Sequence, residues 1–251
     1  MATIDLNADL GESFGTYNLG SDSALMPFIT SCNIACGFHA GDPRVMQATV
    51  RLAKKHNVQV GAHPGYPDLQ GFGRRRMDMA PEEVEAMVLY QIGALAAFCR
   101  VEQVDLRHVK PHGALYNQAA KDPRLAIAIT RAVVRFSKNL VLVGLAGSAL
   151  VAAGKENGLQ VAGEGFPERT YEPDGSLRSR QYPDALITDP AAAAAQALEL
   201  AREGVAIRSG KQFQRLAVET LCIHGDSPHA EVTAAAVYRA LEEGGVELRA
   251  L

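Results

Sequence analysis

Four short runs place a histidine beside glycine or proline at the end of an apolar stretch. They are Ser31–Pro43 around His39, Val60-Gly-Ala-His63-Pro-Gly65, His108-Val-Lys110-Pro-His112-Gly113 and Cys222-Ile-His224-Gly225-Asp226-Ser227-Pro228. Imidazole changes charge near neutral pH and binds metals, so it serves as acid, base or ligand. Lys110 adds a cation able to stabilise developing negative charge. The first strand-like run, Thr3-Ile-Asp-Leu-Asn-Ala-Asp9, alternates Ile4, Leu6 and Ala8 with Asp5, Asn7 and Asp9, and Glu12 follows after a turn. These acids are either a solvated edge or site carboxylates. An exposed first strand would invite aggregation, which favours the second reading.

Each histidine run has a local grammar that explains where the side chain stands. Asp42-Pro43 starts a helix: the carboxylate accepts backbone N–H bonds as N-cap, and proline at the first helical position gives up only an orphaned donor. Asp42 therefore has a structural task and is left out of catalysis. Asp122-Pro123 and Asp189-Pro190 repeat the device, and Ser227-Pro228 is a fourth candidate cap. Strand-like segments near residues 4, 33, 60, 107, 142, 161 and 220 alternate with helical patterns over about 43–56, 81–100, 123–137, 148–156, 190–203 and 228–243. Leu140–Leu145 is a continuous apolar run, as expected of a strand covered on both faces. The tail from Val246 reads as an extra strand or an edge segment. Repeated βα units demand parallel strands, because each helix returns the chain to the same edge.

The expected fold is therefore α/β: a variant TIM-like barrel of seven or eight βα units, occupying residues 1–251 as one domain. An open doubly wound sheet is the alternative. In such a barrel the loops after the strands form the active face. That face would gather Asp9 and Glu12, His39, His63, Lys110 and His112, Glu164 and Arg169, then His224 and Asp226. The Pro64–Arg76 loop, with its glycines, prolines and three successive arginines, is long enough to be functional. Its Arg74 suits a carboxylate or phosphate. The polar stretch Glu168–Arg180 reads as a hairpin around Asp174-Gly175, a candidate lid.

Two chemistries fit. Asp9 with His39 and His63 would bind a divalent metal that acidifies water. Without metal, one group would act as general base while Lys110 or a histidine stabilises an oxyanion. No HExxH run favours the metal, and Ser209-Gly-Lys211 lacks the first half of a phosphate-binding loop.

Composition excludes several classes. The chain has 251 residues, 47% hydrophobic and 21% charged, with net charge −3 and pI near 6.2. Nothing there calls for a nucleic-acid or anionic-membrane surface. No uninterrupted apolar run approaches the roughly 18 residues of a membrane span, and no secretory leader is read at Met1. Cytoplasmic residence is expected, with Cys32, Cys36, Cys99 and Cys222 as reduced, buried thiols.

The runs Asp5-Leu-Asn-Ala-Asp-Leu-Gly-Glu12, Ser31–Asp42, His63-Pro-Gly-Tyr-Pro-Asp68, Gly71-Phe-Gly-Arg74, Lys110-Pro-His-Gly-Ala-Leu-Tyr-Asn117 and His224-Gly-Asp226 closely resemble the LamB/YcsF family, described as the A-type subunit of 5-oxoprolinase. The resemblance covers essentially the whole chain. It implies a barrel of the glycoside hydrolase and deacetylase type, and ATP-dependent hydrolysis of 5-oxo-L-proline to L-glutamate with two partner subunits. It also implies ATP as co-substrate, with Mg2+ or a site metal as the accompanying divalent cation. On this reading Asp9 or His63 is the base, with His39 and His112 as its neighbours. Lys110 and Arg74 hold the oxyanion, phosphate or substrate carboxylate. Asn7, Glu12, Glu164, Arg169, His224 and Asp226 complete the substrate-binding set. One run departs from the family pattern: Phe166-Pro-Glu168-Arg169 stands where Phe-Ala-Asp-Arg is expected, keeping the acid and the arginine. The rival readings are a stand-alone metal-dependent deacetylase or amidohydrolase, and a scaffold subunit without chemistry of its own.

Overall fold

A computed structural model describes residues 2–204, 215–224 and 230–251. Seven parallel strands close on themselves: β1 (Thr3–Leu10), β2 (Ser31–Ala35), β3 (Gln59–His63), β4 (Leu106–Val109), β5 (Val141–Leu145), β6 (Gln160–Gly165) and β7 (Thr220–His224). β1 pairs with both β2 and β7, which completes the barrel and removes the open-sheet alternative. The tail forms β8 (Glu247–Leu248), a short strand beside the start of β1 and outside the closed ring.

The helices are α1 (Asp22–Leu25), α2 (Pro43–His56), α3 (Pro81–Glu102), α4 (Gly113–Ala119), α5 (Pro123–Phe136), α6 (Ala149–Glu156), α7 (Pro190–Glu203) and α8 (Ala230–Glu243). The caps read from the sequence are in place where the structure describes them. Asp42 Oδ1 accepts from the N–H groups of Arg44 at 2.8 Å and Val45 at 3.0 Å. Asp122 and Asp189 cap α5 and α7 likewise. The Ser227-Pro228 cap lies outside the described residues. Ala80 has no capping side chain, and Glu83 reaches back instead, its Oε2 accepting from the Ala80 N–H at 2.9 Å. Helix α4 has no counterpart in the sequence pattern, being two turns that begin directly at His112-Gly113. The seventh strand begins at Thr220, where the sequence pattern places it.

The alternation of β1 has an unusual consequence here. Ile4, Leu6, Ala8 and Leu10 join the apolar layer between barrel and helices, while Asp5, Asn7 and Asp9 are buried as well. The barrel interior is thus polar, and its groups must satisfy one another because water cannot. They do so by height along the strands. At the level where β1 begins, Asp5 accepts from Thr30 at 2.6 Å, from Ser31 at 2.8 Å and from Thr220. Burial, the largest influence, raises the Asp5 pKa, and these hydroxyls work against it. Asp5 is neither a solvated edge nor a mouth residue. One level up, Asn7 accepts from Asn33 at 2.7 Å and donates to Glu164 at 3.0 Å and Thr220 at 2.7 Å. His108 Nε2 lies 2.7 Å from Asn33 Oδ1. Its ring occupies the space a side chain at residue 61 would need, since a Cβ on Gly61 would stand 2.0 Å from His108 Nε2.

Helix α3 is long and apolar enough to cross a membrane by length and composition. Its buried side chains, including Val84, Met87, Val88, Ile92 and Leu95, instead pack into the core.

Candidate active site

The strand ends deliver their polar side chains to one mouth. A cavity of ≈ 530 Å³ opens there, walled by Asp9, His63, Lys110, His112, Arg74 and Arg169 among others. Six of the twelve site residues read from the sequence thus reach the cavity wall. Asn7, Glu164, Glu12 and His39 do not line it, but touch those that do. His224 ends β7 in register with Asp9; its side chain, and Asp226, lie outside the described residues.

Lys110 organises the lower half of the site. Its ammonium is 2.9 Å from Asp9 Oδ1, 2.8 Å from Glu164 Oε1, 3.0 Å from Cys222 Sγ and 3.3 Å from Asn7 Oδ1. Burial, the largest influence, favours the neutral amine, but Asp9, Cys222 and Glu164 together overcome it and hold the pKa well above the usual lysine value. An ammonium has three N–H bonds, and these neighbours engage them. Lys110 therefore acts on the cavity chiefly through the carboxylate it grips. Asp9 is fixed from both sides: Oδ1 accepts from Lys110 and from Asn33 at 2.9 Å, and Oδ2 lies 3.3 Å from His63 Nε2. Glu164 is held by Asn7, Lys110 and the hydroxyl of Tyr116, which donates to Oε2 at 2.7 Å.

The upper half is an imidazole cluster. His63 Nδ1 is 2.7 Å from the Lys110 carbonyl, and His112 Nε2 is 2.8 Å from the Phe72 carbonyl. Their other nitrogens, His63 Nε2 and His112 Nδ1, meet at 2.9 Å. His39 lies flat on His112, with centroids 3.7 Å apart and planes 3° from parallel. Glu12 Oε1 is 3.7 Å from His39 Nε2 and 3.8 Å from His112 Nδ1. Burial and the neighbouring His63 push the His112 pKa down to about 3. Burial also drives His39 well below the usual value, with His112 and His63 adding to the effect.

Missing side chains make room for this cluster. A Cβ on Gly65 would stand 2.5 Å from His39 Nδ1, and one on Gly73 would stand 2.6 Å from His39 Cβ and 2.8 Å from His112 Cδ2. Gly73 also has φ +62°, a conformation that costs other residues. Its carbonyl accepts from the Ala114 N–H at 2.9 Å, joining the Pro64–Arg76 loop to the start of α4.

The three successive arginines have separate destinations. Arg74 lies over the Phe72 ring, 5.0 Å from its centroid, and faces the cavity. Arg75 pairs with Asp68 and folds the loop on itself. Arg76 lines a second, smaller cleft. The Glu168–Arg180 stretch is a hairpin around Asp174-Gly175 as expected, with Tyr171 opposite Leu177, and Ser176–Arg180 form one cavity wall. Arg169 is buried, which lowers its pKa to about 10. It donates to the carbonyls of Arg178 at 2.6 Å and Ala185 at 3.4 Å, so it braces the hairpin.

Several participants escape the sequence reading. Tyr116, Asn33 and Cys222 touch the central groups directly, and Arg178 and Arg180 join the cavity wall. Tyr116 lies four residues past His112 on α4, a spacing that puts both on one helix face. Asn33 and Cys222 carry no local signal, because their role depends on which strands become neighbours.

The arrangement offers a fixed carboxylate beside an imidazole, at a cavity bounded by Arg74, Arg169, Arg178 and Arg180. It suits activation of water against an anionic substrate. Among proteins of known sequence, the sequence model of the LamB/YcsF family matches residues 4–251. A Chloroflexus aggregans protein, named as the A-type subunit of 5-oxoprolinase, is 56% identical over 249 residues, 99% of each chain. A Pyrococcus furiosus protein of the same name is 52% identical over 245 residues, covering 98% of this chain and 96% of its own. The crystal structure of a lactam utilization protein from Thermus thermophilus matches with a TM-score of 0.95 and 49% identity, covering 99% of this chain and 100% of its own.

Proposed function

The chain belongs to the LamB/YcsF family, and from that premise we propose that it is the hydrolytic subunit of an ATP-dependent 5-oxoprolinase. The supporting observation is the Asp9 carboxylate, gripped by Lys110 and Asn33 and facing the cavity beside His63. The names of the relatives favour the lactam as substrate, and a cationic wall suits the carboxylate of 5-oxo-L-proline.

A five-membered lactam is a stable amide, so its opening needs activation. Transfer of the γ-phosphoryl group of ATP to the lactam oxygen makes the ring carbon electrophilic and turns that oxygen into a leaving group. Water then adds to the carbon, giving up one proton to Asp9. The tetrahedral species collapses with cleavage of the ring C–N bond, and the nitrogen takes up a proton to become the amine. A second water hydrolyses the γ-glutamyl phosphate so formed, releasing phosphate and leaving L-glutamate. Lys110 holds the Asp9 carboxylate in place and aimed. His63, fixed by its bond to the Lys110 carbonyl, walls the position of the attacking water on the other side. Arg74 and Arg180, on the cavity wall, neutralise the substrate carboxylate and the phosphoryl oxygens, while Arg178 is paired with Glu172 and Asp184 and shapes the hairpin. Two further subunits complete the enzyme on this proposal.

The test is glutamate release from 5-oxoproline, measured with and without ATP and with and without the candidate partner subunits. Release only in the complete, ATP-supplied mixture, abolished by Asp9→Asn, supports the reading. Release by the isolated chain without ATP would replace it with a stand-alone amidohydrolase. Unchanged turnover of the assembled complex carrying Asp9→Asn would reduce the chain to a scaffold.

A further inference from the structure

The hydrogen bonds of His63 and His112 cannot all be satisfied by neutral imidazoles. A backbone carbonyl only accepts, so His63 Nδ1, 2.7 Å from the Lys110 oxygen, must carry hydrogen. By the same rule His112 Nε2 donates to the Phe72 oxygen. The two remaining nitrogens are then both lone pairs, and they face each other at 2.9 Å. A positive species is required between or beside them: either a shared proton or a metal cation.

His39 distinguishes the two. It is 1% exposed, and neither of its ring nitrogens has a hydrogen-bond partner among the described residues. A proton shared by His63 and His112 leaves that ring unsatisfied, and buried polar groups without partners are rare and costly. A metal would use the lone pairs together. One donor atom each from Glu12, His39, His63 and His112 already lie within 4.8 Å of one another. The shorter separations, 2.9, 3.7 and 3.8 Å, bracket the roughly 3.4 Å expected between ligands around a tetrahedral zinc ion.

We propose that Glu12, His63 and His112 form a binding site for a divalent transition metal of the zinc class, with His39 as fourth ligand after its ring turns off the face of His112. Imidazole and carboxylate ligands suit zinc, cobalt or nickel rather than calcium or magnesium, which prefer oxygen. The carbonyls of Lys110 and Phe72 are the outer contacts that fix the two ligand tautomers, as is usual around metal-bound histidine. The set differs from the one read in the sequence, because Asp9 gives Oδ1 to Lys110 and Asn33, while Glu12 and His112 take its place.

Binding is read without turnover, so the outcome is independent of the reaction proposed above. The intact chain, stripped with chelator and exchanged into metal-free buffer, is titrated with Zn2+ by calorimetry and with Co2+ by visible absorption. One ion per chain, with ligand-field bands of nitrogen–oxygen coordination, is expected. His63→Gln and His112→Gln should weaken binding by more than about 100-fold, while His56→Gln, at the exposed end of α2, should leave it unchanged. Absence of saturable binding to the folded wild-type chain would overturn the site and assign the cluster a shared proton. Unweakened binding in a folded His63→Gln, His112→Gln double variant would overturn it too, by placing the metal elsewhere.

Discussion

The ammonium of Lys110 and the carboxylate of Asp9 stand 2.9 Å apart, with side chains 3% and 10% exposed. Glu164 approaches the same ammonium at 2.8 Å and is fully buried. One cation thus serves two acids, and its removal leaves two carboxylates without their counter-ion. Lys110→Met should destabilise the chain by about 3–5 kcal/mol and abolish turnover. Denaturant titration alongside the glutamate-release assay checks both. Asp9→Asn should lose turnover at a smaller cost in stability, since the amide oxygen still accepts from Asn33 and Lys110.

Acid should weaken the fold through His108. Burial, then the charge of Lys110, pushes its pKa down to about 3 from the usual 6.5. The unfolded chain therefore binds a proton that the folded chain refuses between those values. The stability due to neutral His108 is complete above about pH 6.5 and is lost as pH falls toward 3. Urea midpoints measured from pH 7 to pH 4 should fall less steeply in His108→Gln than in the wild type.

Gly73→Ala should damage the site more than the fold. The added methyl meets His39 and His112 at 2.6 and 2.8 Å, and the positive φ adds about 1–2 kcal/mol of backbone cost. We expect at least a tenfold fall in kcat/KM with a cooperative thermal transition retained, measured by steady-state kinetics and calorimetry.

Asp42 gives the opposite pattern. It caps α2 and also accepts from the Gly15 N–H at 2.8 Å, but does not line the cavity. Asp42→Ala should cost about 1 kcal/mol and leave kcat unchanged. A large loss of kcat in a folded variant would contradict its purely structural assignment.

The alternating pattern of Thr3–Asp9, the Asp-Pro caps and the recurring histidine runs made the parallel α/β architecture and the mouth of the barrel readable from the order of residues. These are local signals, written in periods of two and 3.6 and in single capping positions. Barrel closure was not local. Whether β1 meets β7 as well as β2 depends on the tilt and stagger of all seven strands, and no window of sequence contains it. The same holds for the chemistry. Glu12 and His112, or Lys110 and Cys222, are about a hundred residues apart, and only the closed barrel decides that they touch. It also decides that Asp5, identical in type to Asp9 and four positions away, is shut in with hydroxyls at the far end of the strand. Residue type set what each group is able to do; the register between strands set which groups do it together.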